Sequence, residues 1–248
     1  MSVWLRIADR EGLVLAAPEG ARGGDGRQGW NDCRADASSN PKTDDVGLID
    51  AIIDREIEMH NVDPTRIFVM GMSNGGMMAF RMAVERGERL AGFAAVGASM
   101  AGDNQCAVPV TAVSALIVAG TADPLVPYEG GQVGFGYGAL RGKVIGVEQA
   151  VGAWRQIDGL SAPAVAVQAL EHKDPRDPTR ASRTVWGRDA SQPQVEFVRI
   201  EHGGHVEPSI SKRIGRFYAH LVGSQNGDVE IAEEAWSFFQ HKRGRQPD

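Results

Sequence analysis

Short apolar runs and stretches of helical periodicity alternate along this chain. Five runs read as buried strands: Gly12 to Pro18 (GLVLAAP), Arg66 to Met72 (RIFVMGM), Gly92 to Ser99 (GFAAVGAS), Ala115 to Gly120 (ALIVAG) and Gln194 to Ile200 (QVEFVRI). Between them, Asp44 to His60 carries Val46, Ile49, Ile53 and Ile57 at three- and four-residue steps, with Ile52 beside them, as an amphipathic helix does. Thr43 is placed to cap it, Asp44 and Asp45 suit the positive end of its dipole, and Pro64 disfavours helical geometry at Asp63. Met77 to Arg86 is apolar nearly all round and reads as a buried helix, Gly146 to Asp158 as another, and Val229 to Lys242 as a closing helix with Ile231, Ala235 and Phe238 or Phe239 on one face. Strands apolar on both faces, alternating with helices, predict an α/β fold: one mostly parallel sheet covered by helices on both faces. Two segments break the rhythm and read as long loops, the glycine-rich Gly130 to Gly142 with Phe135 and Tyr137, and the polar Asp174 to Arg188 with Pro175 and Pro178.

Composition narrows the function. The 248 residues suit a single domain, 1–248, and 42% hydrophobic with 23% charged residues is ordinary for a globular enzyme. The net charge of −6 comes with no basic stripe, which argues against a nucleic-acid partner. No apolar run has the length of a membrane span, and no signal peptide opens the chain as given. Cys33 and Cys106 are the two cysteines; a disulfide and two unpaired thiols are both compatible with the sequence. HExxH, His/Cys clusters, EF-hand loops and a GxGxxG before a helix are all missing, so neither a metal nor a dinucleotide cofactor is implied.

The chemistry concentrates at Gly71-Met72-Ser73-Asn74-Gly75, a G-x-S-x-G between an apolar strand and a buried helix. There a serine sits on a sharp turn, flanking glycines leave room for the backbone, and the next N–H, that of Asn74, heads a helix where it can stabilise an oxyanion. A serine hydroxyl needs a base. Asp123 follows the strand Ala115 to Gly120, and His205 follows the strand Gln194 to Ile200 through Gly203 and Gly204, so both fall beyond carboxyl ends of strands. Asp103 and His202 are the rivals for acid and base; Asp103 reads as a solvated loop acid, and His202 lacks the two preceding glycines.

These residues resemble the esterases grouped with polyhydroxybutyrate depolymerases and feruloyl esterases, within the α/β-hydrolase fold. The resemblance rests on Ala8-Asp9-Arg10-Glu11-Gly12 with Pro18-Glu19-Gly20, Gly29-Trp30-Asn31-Asp32, Asp44-Asp45-Val46-Gly47, the Gly71 to Met77 motif, Gly120 to Pro124 with Pro127-Tyr128, and Gly203-Gly204-His205. It implies Ser73, Asp123 and His205 as a catalytic triad and short 3-hydroxyalkanoate or aromatic-acid esters, small or polymeric, as substrates. It also implies a secreted, extracellular location, whereas the chain as given, with no signal peptide, is expected to be cytoplasmic if its start is genuine. Trp30, Tyr128 and the 130–142 loop are the candidate substrate-binding elements. Two departures stand out. Val206-Glu207-Pro208 replaces the family's Trp-Pro pair after the histidine, and the chain as given starts after the strand and His-Gly loop that supply the other oxyanion N–H. The expectation is therefore an N-terminally incomplete sheet, for which either the true start lies upstream, or Gly12 to Pro18 has shifted inward, or the sheet is completed otherwise, and an oxyanion hole short of one donor, at a cost on the order of 10²–10³ in rate. A peptidase or acyltransferase using the same triad, or a weakly active or non-catalytic ligand-binding relative, are the alternative functions.

Overall fold

The computed structural model describes residues 2–107, 111–134 and 141–246. In chain order the elements are α1 (Ser2–Glu11), β1 (Ala21–Arg22), β2 (Gln28–Gly29), α2 (Asp45–His60), β3 (Phe68–Met72), α3 (Asn74–Glu85), β4 (Gly92–Val96) and β5 (Ser114–Gly120). They continue with β6 (Gly130–Gln132), β7 (Lys143–Ile145), α4 (Val147–Ile157), β8 (Ala166–Ala169), β9 (Arg180–Trp186), β10 (Val195–Glu201), α5 (Arg216–Val222) and α6 (Ile231–Phe239). Six strands form the main sheet in the order β3-β4-β5-β10-β9-β8, while β1 with β2 and β6 with β7 make small separate ladders. Strands β3, β4, β5 and β10 run parallel, and β9 and β8 continue the sheet antiparallel. This is an α/β-hydrolase-like fold with a mixed, mostly parallel central sheet.

Alternation along the strands sorts the core into two layers. Phe93, Ala95, Ala115, Ile117, Val195 and Phe197 face one side, where α3 and α4 cover them; Ala94, Val96, Leu116, Val118, Val198 and Ile200 face the other, where α1 and α6 do. Phe80, Phe93 and Trp154 meet edge-on, with centroids 4.8–5.9 Å apart, and lock α3, β4 and α4 together.

Several expectations change. Gly12 to Pro18 is not a strand and has not moved into the sheet: it is irregular, with Val14 46% and Leu15 38% exposed. An apolar run becomes a strand only if a neighbour's ladder accepts it, and this one pairs with none among the described residues. Before it stands an unforeseen helix, α1, anchored by Val3 and Ile7 against α6 and by the Arg10–Glu233 ion pair. The polar stretch read as a loop over Asp174 to Arg188 contains β9, whose Arg183 reaches across the sheet to Glu196 at 2.7 Å and also pairs with Glu234. The cap of α2 is Asp44, which accepts from the Gly47 N–H at 2.9 Å, while the Thr43 hydroxyl donates to Asp45. That helix ends at His60 because Asn61 turns left-handed, at φ 50°.

Asp158, which ends α4, accepts the Val113 N–H at 3.0 Å just before β5, but its second oxygen is buried without a partner among the described residues. Burial raises its pKa to about 7, against the opposing pull of the Val113 hydrogen bond. The folded protein thus favours the neutral acid. The resulting stabilisation is complete below the unfolded value near 3.8 and is lost as pH rises through about 7. Asp158→Asn is expected to be increasingly stabilised relative to the parent as pH rises from 4 to 7, with the difference level above that. Urea unfolding of both proteins at pH 5 and 8 checks the trend, and a difference independent of pH would refute it.

Candidate active site

The turn from β3 into α3 places Ser73 at φ 57° and ψ −124°, outside the regions a side chain ordinarily adopts. Its N–H donates to Val96 O at 2.8 Å and its carbonyl accepts from the Met77 N–H at 3.0 Å, so strand and helix both hold the strained residue. The glycines are required by contact. A Cβ on Gly71 would lie 2.2 Å from backbone atoms of Gly75, and one on Gly76 would lie 2.7 Å from the Ala98 methyl.

Ser73 Oγ lies 2.8 Å from His205 Nε2, and His205 Nδ1 lies 2.7 Å from Asp123 Oδ2. Both partners are buried. The other Asp123 oxygen accepts the N–H groups of Leu125 and Val126, each at 2.8 Å, which fixes the carboxylate's orientation. The three residues follow β3, β5 and β10, whose registers set Met72 beside Val96, Val96 beside Val118, and Gly120 beside Ile200. Gly203 and Gly204 act through close approach: a Cβ on Gly120 would sit 2.3 Å from Gly203 O, and one on Gly204 would sit 2.1 Å from Val222 O. His202, the rival base, is exposed in a left-handed turn, its N–H bound to Thr121 Oγ1; Asp103, the rival acid, is exposed on the loop that meets Ala35. The sequence gives no signal for Gly97, which ends β4 at φ 54° and whose missing side chain makes room for His205 Nδ1, 3.4 Å from where a Cβ would be.

Asn74 has two parts to consider. Its N–H heads α3, where a helix leaves the group without an internal partner. Its side chain, unremarked in the sequence, clamps the neighbouring loop: Oδ1 accepts the Trp30 N–H at 2.6 Å, and Nδ2 donates to Trp30 O at 3.0 Å and to Asp32 Oδ2 at 2.7 Å. Asp32 is buried and chelates the buried Arg34 through Nε and Nη2. A Cys33–Cys106 disulfide and the Gln105 side chain, which donates to Asp32 O at 2.8 Å, tie the same loop to residues 103–107. Trp30 packs over the turn, its indole nitrogen 4.0 Å from the position of a Gly75 Cβ. Tyr128 does not line the cleft at Ser73, contrary to its candidacy for the substrate pocket: it is buried in the core, and its hydroxyl donates to Glu148 and accepts from Arg199. Phe135 and Tyr137 of the 130–142 loop lie outside the described residues. Cys33, Glu85 and Cys106 come within 4.8 Å of one another, but both sulfurs are in the disulfide, so the group does not fit a metal.

A family of phospholipases and carboxylesterases matches residues 25–134, from the loop before Trp30 through Ser73 and Asp123. A protein of Nocardia uniformis subsp. tsuyamanensis that carries an esterase name is 33% identical over 124 residues, 50% of this chain and 35% of its own length. A bifunctional acetylxylan esterase/xylanase of Neocallimastix patriciarum is 30% identical over 127 residues, 51% of this chain and 17% of its own. The chain therefore spans only about a third or less of these curated relatives. Among solved structures, an acetyl xylan esterase from Aspergillus awamori aligns with a TM-score of 0.46 at 15% identity, over 86% of this chain and 73% of that one. The chain has esterase homologues, and the family match spans the serine turn.

Removing Asp32 strands the buried Arg34 charge. Asp32→Ala is expected to lose about 3–5 kcal/mol of unfolding free energy, and most of it should return when both partners become apolar, as in Asp32→Leu with Arg34→Met. Guanidinium unfolding of the single and double variants measures this; a single variant as stable as the parent would show that the pair does not anchor the loop.

Proposed function

We propose that this chain hydrolyses carboxylic esters through an acyl-serine intermediate, with Ser73 as nucleophile, His205 as general base and Asp123 as the acid that orients it. The observation that carries this reading is the unbroken hydrogen-bonded line from Asp123 through His205 to Ser73, set on a strained turn. An ionised Asp123 accepts from Nδ1–H, which leaves Nε2 as the acceptor facing the serine hydroxyl. In the first half-reaction Ser73 Oγ bonds the ester carbonyl carbon and its proton passes to His205 Nε2. The Asn74 N–H stabilises the resulting oxyanion. His205 then returns the proton to the departing alcohol as the carbon–oxygen bond breaks. Water, deprotonated by the same imidazole, releases the acid and restores the serine.

Within that class, the motifs shared with polyhydroxybutyrate depolymerases and feruloyl esterases favour short 3-hydroxyalkanoate or aromatic-acid esters, free or in polymers. The acetylxylan esterase name of one relative adds acetyl esters to the set worth assaying. We also propose an extracellular location, supported by the Cys33–Cys106 disulfide, a bond that persists in oxidising compartments.

The purified protein is expected to hydrolyse p-nitrophenyl acetate and butyrate. Ser73→Ala should fall to the background rate, and Asp123→Asn, which leaves the imidazole in the wrong tautomer, should lower kcat by about 10⁴-fold. A fluorophosphonate should label the parent and spare Ser73→Ala, as read by intact mass. Ester hydrolysis that survives in Ser73→Ala would overturn the assignment.

A further inference from the structure

A small cleft of about 60 Å³, open to solvent, adjoins the serine, with Ser73 and Asn74 among its walls. Neither His205 nor Asp123 lines it. His205 must protonate the departing alcohol, so the alcohol leaves on the histidine side. A cleft that touches the nucleophile and not the base therefore holds the acyl half of the ester. This step rests on the esterase reading above.

The lining is unusual for an acyl pocket because three arginines, Arg27, Arg34 and Arg141, contribute to it. Two are already matched. Arg34 is neutralised by Asp32 behind the wall, and Arg141 pairs with Asp25 at 2.7 Å. Arg34 also donates to Arg141 O, which holds the two walls together. Arg27 makes no side-chain hydrogen bond or ion pair among the described residues, and the nearby Asp25 carboxylate is already engaged by Arg141 and by the Arg27 N–H. The cleft thus has one positive charge in excess. An exposed guanidinium with no hydrogen-bonded partner among the described residues, in a cleft with positive charge in excess, matches a carboxylate, which has two acceptor-only oxygens and a charge.

From this arrangement we infer that the enzyme selects esters whose acyl chain ends in a carboxylate, the half-esters of dicarboxylic acids, with Arg27 receiving the distal carboxylate. The reaction remains hydrolysis: water adds across the ester bond and a dicarboxylic acid and an alcohol leave. Arg27 determines specificity and takes no part in the bond changes.

The test compares monoethyl glutarate with ethyl valerate, which differ in the distal carboxylate, by pH-stat titration at pH 7.5, with p-nitrophenyl butyrate as an independent measure of ester hydrolysis. The expected result is a kcat/KM for monoethyl glutarate at least tenfold above that for ethyl valerate, about the worth of one charge-assisted hydrogen bond. The ratio should shrink toward one in Arg27→Gln, whose exposed side chain has no structural partner to lose, and in the parent protein at 0.5 M NaCl, which screens an exposed charge. Hydrolysis of p-nitrophenyl butyrate with a glutarate-to-valerate ratio of one or less overturns this inference and leaves the esterase reading standing. So does a high ratio that Arg27→Gln does not reduce. If no ester is hydrolysed, the esterase reading fails and this inference falls with it.

Discussion

The reversal at Ser73 is the constraint on which the site depends. The chain must leave β3 and enter α3 within a single residue, and it does so by holding a serine at a positive φ. Such a conformation costs on the order of 1–3 kcal/mol and persists only when the surroundings over-determine it. Here they do: Val96 O takes the Ser73 N–H, α3 takes its carbonyl, and Gly71 and Gly76 allow contacts that any side chain would forbid. The same turn lifts the hydroxyl above the sheet and brings the Asn74 N–H beside it. Strain, the proposed nucleophile and the proposed oxyanion donor are one local structure.

Around that turn, the burden of holding the site is divided. Asp123 and His205 are carried by adjacent parallel strands, and Gly120 and Gly203 pass so closely that the two loops move as a unit. On the opposite flank no strand serves, and a polar network takes over. The Asn74 amide, the Asp32–Arg34 pair and the Cys33–Cys106 cross-link hold residues 30–34 against the elbow. A buried ion pair gains little against an apolar substitute of the same shape, but it fixes geometry, because either charge alone would be left unsolvated.

What the sequence made legible follows from how local each feature is. The strands β3, β4, β5 and β10 are apolar on both faces, so their burial is written in a few consecutive residues, and a strand end followed by Asp or Gly-Gly-His points at the site directly. The failures share a cause in long-range pairing. Gly12 to Pro18 has a strand's composition, but whether it pairs is decided by a neighbour that the segment itself does not specify. Strand β9 lacks a strand's composition because its Arg183 is satisfied by Glu196 and Glu234, which lie on other elements. Helix α5 escapes periodicity because it is almost wholly exposed, with Phe217 81% accessible. Gly97 and the Asn74 side chain act only through residues distant in sequence, and nothing adjacent marks them. Tyr128 shows the converse: a short motif can place a residue near the site in sequence while the fold turns its side chain into the core.

This division gives bond breaking and substrate choice different mechanical supports. The spacing of Ser73, Asp123 and His205 is set by the ladder registers of β3, β4, β5 and β10, where a shift of one residue would reverse every side chain. The cleft beside Ser73 is walled instead by loops joined side chain to backbone: Arg34 to Arg141 O, Arg141 to Asp25, and Asp36 to the Lys143 N–H. The Arg141–Asp25 and Asp36–Lys143 links are at least partly exposed and individually weak, while Arg34 is buried and stays paired to Asp32, so an exposed charge in the cleft such as Arg27 can be exchanged without disturbing the strands. On the proposed reading, the acyl group admitted is set by loop residues such as Arg27, while the geometry at Ser73 stays under the control of the sheet.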